Sequence, residues 1–192
     1  MKLVTFLLMF FLMATSANAG PFGTNMNDDI KKYRNLGINK DSPTLIDAST
    51  DRMSMPKSHP RFPDYNLKFF KGKLIGVAAV AHAYRYGYDI TKLREIYDEV
   101  LSQLCNKYGK FDINQTDEND FTINIWENIK KDNISLIVLG FGEKGVVVEF
   151  RYNNYTSALE NEKQEVAKRE ARKKQQEDEI RLKEYNDGAN SL

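Results

Sequence analysis

One stretch constrains the fold of this chain more than any other. Residues 90–108 carry Ile90, Leu93, Ile96, Tyr97, Val100, Leu101, Leu104 and Tyr108 at offsets of three and four, with charged and polar residues between them. That spacing predicts an amphipathic helix with one broad apolar stripe, closed by Gly109. A helix with a single apolar face needs one partner surface, and the runs on either side of it supply a sheet. Before it, residues 65–70 and 73–83 read as two strands joined by Lys71-Gly72-Lys73, the second with Val77, Ala79 and Ala81 on one face and Ala78 and Val80 on the other. After it, residues 121–126, 134–139 and 146–152 read as three more, rich in β-branched and aromatic side chains. The expectation is one α+β domain, an antiparallel sheet of about five strands packed on one long helix. A parallel, doubly wound sheet would need a helix between successive strands.

The flanking segments carry weaker signals. Residues 26–36 predict a helix with Asp28 and Asp29 in its first turn and Gly37 as its stop. Residues 43–63, with Pro56, Pro60 and Pro63 near their end, predict an extended loop, and 112–120 a polar surface loop. Beyond Tyr155 the composition changes: residues 158–187 hold nine acidic and eight basic side chains and little that is apolar. Glu165 with Arg169, Glu170 with Lys174, Glu177 with Arg181 and Glu179 with Lys183 are acid-then-base pairs at the spacing that supports a solvated helix. Leu159, Val166 and Ile180 keep a seven-residue spacing that Lys173 interrupts, short of the sustained seam a coiled coil requires. The expected organisation is therefore a leader at 1–19, a folded body at 20–156 and a charged helical tail at 157–192.

The leader is read from Lys2, the apolar run of residues 3–13 and the small-residue site Ala17-Asn18-Ala19, the pattern of a secretory signal peptide cut before Gly20. Removing it takes away Lys2 alone among the charged residues, so the 28 basic and 27 acidic side chains of the whole chain become equal in number. Basic residues are mixed with acidic ones throughout, which argues against nucleic acid as a partner. No later stretch approaches the roughly 18 apolar residues needed to span a bilayer. The expectation is an exported monomer, in the periplasm or outside the cell. Its single cysteine, Cys105, allows no intramolecular disulfide, and its place on the apolar side of the 90–108 helix predicts a buried small hydrophobe.

Few motifs carry chemistry. Gly140-x-Gly142-x-x-Gly145 follows an apolar run as a dinucleotide fingerprint would, but a pyrophosphate site needs a helix to begin within the glycines. Here β-branched residues follow, and the reading is a β-hairpin. His59 and His82 lie far apart with no further His or Cys at ligand spacing, so no metal is expected. No serine or cysteine sits in a nucleophile's setting, and no cofactor is implied. The most suggestive segment is Tyr84-Arg85-Tyr86-Gly87-Tyr88, whose alternating rings either project from one side of a strand-to-helix connection, where with Arg85 they suit carbohydrate, peptide or protein contact, or roof the core at the helix entry.

Taken together, Pro21-Phe22-Gly23, Pro56-Lys57-Ser58-His59-Pro60-Arg61-Phe62, Cys105-Asn106-Lys107-Tyr108-Gly109-Lys110, Trp126 and Val148-Glu149-Phe150-Arg151-Tyr152-Asn153 resemble a group of small exported bacterial proteins of uncharacterised function. The resemblance spans most of residues 20–155 and implies export, with no catalytic residue to transfer. The chain departs from that group in a shorter run from Gly109 to Trp126 and in its charged tail. The expected function is a non-enzymatic binding or accessory protein of the bacterial cell envelope, partnered by another envelope or extracellular protein. The alternative is an envelope hydrolase acting on glycan or peptide through paired carboxylates.

Overall fold

A computed structural model describes residues 20–39, 44–118, 120–127, 129 and 131–189. The expected leader lies outside the described residues. Eight strands, β1 (Gly37–Asn39), β2 (Leu45–Asp51), β3 (Asp64–Phe70), β4 (Lys73–His82), β5 (Ile113–Thr116), β6 (Thr122–Glu127), β7 (Ile134–Gly142) and β8 (Gly145–Tyr152), form one antiparallel sheet in the order β1-β2-β3-β4-β8-β7-β6-β5. The helices are α1 (Ala83–Tyr86), α2 (Ile90–Tyr108) and α3 (Tyr155–Ala189). The chain divides into two units between Tyr155 and Thr156.

The sheet is two four-stranded meanders placed edge to edge, with β4 and β8, the last strand of each, side by side at the centre. The first tight turn is made by Lys71 and Gly72, at φ +49 and +76, the paired left-handed residues that a two-residue hairpin needs. Helix α2 links the meanders. Asp89 caps it by accepting from the Lys92 amide at 2.7 Å, and Gly109 closes it by donating to the Cys105 carbonyl at 2.9 Å. Trp126 Nε1 donates to the Gly109 carbonyl at 2.8 Å and ties that end to β6.

Register places one set of side chains on a single face: Ala48 and Thr50, Tyr65 and Leu67, Val77 and Ala79, Val148 and Phe150, Ile137 and Leu139. Leu93, Ile96, Tyr97, Val100 and Leu104 of α2 bury against β7 and β8. The rest of this face is closed by the 3-10 turn Pro21–Gly23, whose Phe22 ring meets Tyr65 and Phe150 edge-on at 5.1 and 5.6 Å, and by Met55 and Phe62 from the proline-rich loop. Fully burying each such large apolar side chain contributes about 1.5–3 kcal/mol. Cys105 is half-buried against this core.

The structure corrects the expected sheet from about five strands to eight. Residues 45–51 and 113–116, both read as loop, are β2 and β5, and Gly37 opens β1 instead of stopping a helix. The helix expected over 26–36 is a single 3-10 turn, Ile30–Lys32. Asn27 and Asn35 have positive φ, and the segment instead spends its backbone groups on the β3–β4 hairpin: Asn27 donates to Leu74, Leu74 to Asp28, and Ile30 to Gly72, at 2.9–3.0 Å. Within α3, Arg169 meets Glu165 at 3.3 Å as expected, and Lys173 meets Glu177 at 3.9 Å.

Candidate functional site

The sheet face opposite α2 is laid out in rows by the register. Asp64, Val80, Val147, Gly140 and Ile123 form one row, Asn66, Ala78, Glu149, Val138 and Ile125 the next, and Lys68, Gly76, Arg151, Leu136 and Glu127 a third. The β2–β3 side of these rows is polar and charged, and the β6–β7 side is largely apolar and half-buried.

The charged side holds a cleft of about 420 Å³ lined by Asp47, Ser49, Asn66, Lys68, Glu149 and Tyr155 among others. Lys68 Nζ lies 3.4 Å from Asp47, and Arg151 grips Glu149 through two nitrogens at 2.8 and 3.2 Å. Both cations lie against the Tyr155 ring, 5.8 and 5.0 Å from its centre. Gly76 makes room for that ring, since a Cβ there would come within 3.2 Å of it. The hydrogen bond it donates to Glu149 raises the Arg151 guanidinium above its ordinary value. Burial alone would lower the Lys68 ammonium, but Tyr155 and Asp47 outweigh it and hold it above the ordinary lysine value. The two carboxylates of this cleft are each engaged by a cation, an arrangement suited to recognition and to holding the sheet face in one geometry.

The apolar side holds a second cleft of about 600 Å³, floored by Val80, Val147 and Phe121, with His82, Glu143 and Lys144 along it. The glycine motif belongs here. Phe121 lies over Gly140 and Gly142, where a Cβ would meet its ring at 2.9 and 2.7 Å, and Gly145 lets β8 approach β4 so closely that a Cβ would stand 2.4 Å from the Ala81 carbonyl oxygen. The glycines lie at the β7–β8 hairpin and lead into β8, so they serve packing, as their strand context implies.

At the β4 end of this cleft stands the tyrosine segment. It is helical rather than extended: α1 makes one turn and ends at Gly87, whose φ of +65 and bond to the Ala83 carbonyl form its cap. Residues two apart on a helical turn do not share a face, so Tyr84 and Tyr86 do not project from one side as their alternation suggested. Tyr84 is 81% exposed, with its ring 5.3 Å from that of His82. Tyr86 donates to Asp64 Oδ2 at 2.9 Å, and Arg85 pairs with Asp64 Oδ1 at 3.1 Å while lying 5.7 Å from the Tyr86 ring centre. Burial, then the bond to Asp64, raises the Tyr86 phenol. Tyr88 turns inward and packs on the core, its ring 5.8 Å from Tyr86. Three of the four expected residues therefore form an exposed rim around His82 and Asp64. Asp64, which organises it, was missed by sequence reasoning; its place beside Val80 follows only from the β3–β4 register.

His59 has a different role. Its Nδ1 accepts from the Arg61 amide at 3.2 Å and its Nε2 meets Gln103 Oε1 at 3.0 Å, while Arg61 pairs with Glu99 at 2.7 Å, so the proline-rich loop is bolted to α2. Among the described residues no group of three or more His, Cys, Asp and Glu is placed to hold a metal ion, and no helix is long and apolar enough to cross a membrane. No protein-family model matches the chain, and no curated protein or solved structure is significantly similar to it.

Proposed function

We propose that this is an exported, non-enzymatic binding protein of the bacterial cell envelope that docks another protein on the sheet face opposite α2. The observation that carries the reading is the link between the Val80–Val147 floor and the rim: His82 of the cleft lies 5.3 Å from the exposed Tyr84 ring, and Val80 of the floor pairs with Asp64, which holds Arg85 and Tyr86. Aromatic and arginine side chains beside a desolvated apolar floor are the composition of interface centres. The partner presents an apolar side chain to the floor between β4 and β8. The leader pattern of residues 1–19 and the resemblance to small exported proteins support the envelope setting.

The test is a photo-crosslinking residue placed at Tyr84 in the exported full-length chain, with the same residue at exposed Asp98 of α2 as the control. A discrete partner captured from position 84, absent from position 98 and lost in Val147→Glu at an unchanged thermal transition, supports the reading. Equal capture from both positions, or capture indifferent to Val147→Glu, removes this face from the proposal.

A further inference from the structure

Residues 20–24 are built into the core. The Phe22 ring fills the space between Tyr65 and Phe150, at φ +56 in the turn Pro21–Gly23. Thr24 is fully buried; its hydroxyl donates to the Pro21 carbonyl at 2.6 Å and so accepts from the Tyr152 hydroxyl, also at 2.6 Å. Gly20 opens this arrangement. It is buried, its carbonyl accepts from the Gly23 amide at 3.2 Å, and its nitrogen donates to Asn25 Oδ1 at 3.3 Å. Its backbone, at φ −62 and ψ −163, is extended and open to any residue. What excludes other residues is space: a Cβ would stand 2.5 Å from the Thr24 carbonyl oxygen, a backbone atom, and 3.2 Å from Tyr152 Oη.

The leader pattern points to the same bond from the other side. Ala17 and Ala19 are the small residues a signal peptidase reads before the bond it cuts, and that requirement leaves the next residue unexplained. The fold explains it. We infer that hydrolysis between Ala19 and Gly20 is a maturation step that delivers the new amino terminus into a seat made by Asn25, Thr24 and Tyr152. Water adds across the peptide bond, Ala19 leaves with the carboxylate, and Gly20 keeps the nitrogen, which takes up a proton and donates to Asn25 Oδ1. Glycine stands at this position because the Thr24 carbonyl and the Tyr152 hydroxyl occupy the space a side chain would need. The inference rests on the export part of the reading above and is independent of what the sheet face docks.

The test uses the 192-residue precursor in an exporting bacterial host, with intact mass, thermal melting and α-amine labelling of the exported product. The expected product begins at Gly20, and its α-amine labels more slowly in the native state than in urea. Gly20→Ala is expected to be cut at the same bond and to melt about 4–8 °C lower. Asn25→Ala, which leaves the packing intact, is expected to melt slightly lower and to label faster. An exported product beginning at another residue, or a Gly20→Ala product that melts with the parent, overturns the seat while leaving export standing. An uncut precursor retained in the cell overturns both.

Discussion

The Tyr152 hydroxyl on β8 donates to Thr24 Oγ1 at 2.6 Å, a buried bond between residues 128 positions apart. It joins the amino-terminal turn to the last strand of the sheet. Tyr152→Phe is expected to cost about 1–2 kcal/mol, because the buried Thr24 keeps its bond to Pro21 but loses a donor. Denaturant unfolding checks the value, and a double mutant with Thr24→Val is expected to cost less than the sum of the two single changes.

Alkaline pH is expected to unfold the protein through three phenols. Burial, first of all, raises Tyr33, Tyr108 and Tyr152 above the ordinary tyrosine value, and bonds to Asp28 and Asp132 reinforce it in the first two. A group raised in the folded state contributes stability that is complete below its unfolded value and declines as pH rises beyond it. Stability is therefore expected to fall above about pH 10. Tyrosine absorbance followed beside circular dichroism tests this: these phenols should ionise together with unfolding, and independent ionisation in the native state would contradict the assignment.

Asp132 governs the acid side. Burial acts to raise its carboxyl, but bonds from Lys107 at 2.6 Å and Tyr108 at 2.9 Å prevail and hold it below the ordinary aspartate value. The stability it contributes is present above the unfolded value and lost as pH falls. Asp132→Asn, a residue that tolerates the φ of +60 found here, should destabilise the protein by roughly 1–2 kcal/mol at pH 6. That difference is expected to narrow below about pH 4, which melting curves at both pH values would show.

Gly145→Ala is expected to be the most damaging of the glycine-motif changes, at about 2–4 kcal/mol, because the added methyl would meet the Ala81 carbonyl at 2.4 Å on a backbone already at φ +153. Gly140→Ala meets side-chain atoms rather than backbone, the far end of the Phe121 ring at 2.9 Å and Val147 Cγ1 at 3.1 Å, and is expected to cost about 1 kcal/mol. Thermal melting of the two variants gives the ranking; a Gly140 change as costly as the Gly145 change would mean that Phe121 and Val147 cannot yield.

The elements legible in the sequence are those whose side chains repeat the local geometry. Leu93, Ile96, Val100 and Leu104 mark α2 because each faces the same sheet, and Lys71-Gly72 marks the hairpin because its backbone demands it. Strand β2 turns Ala48 and Thr50 inward, too small and too polar to show as an apolar alternation. Strand β5 is exposed from Asn114 to Thr116, and its tie to the core is polar: Asn114 donates to buried Asn124 at 2.7 Å, with Asn124 in turn bonded to Tyr97. At the candidate site, the alternation of Tyr84, Tyr86 and Tyr88 left exposure and core-roofing equally open, and their phase was not legible, because Gly87 closes a helical turn where alternation suggested one shared side. The tie to Asp64 depends on strand pairing that no local pattern encodes.

The order of the sheet sets the timetable on which it can be finished. Strand β4 gains its second neighbour only from β8, so a chain emerging amino end first holds residues 37–82 as an incomplete half with a bare edge until residue 152 is available. Closure is a long-range event made by the last strand of the body, the kind of contact that slows folding and keeps an emerging chain open. Under the export proposed above, the same delay would keep the body unfolded, and so threadable, until its last strand is available.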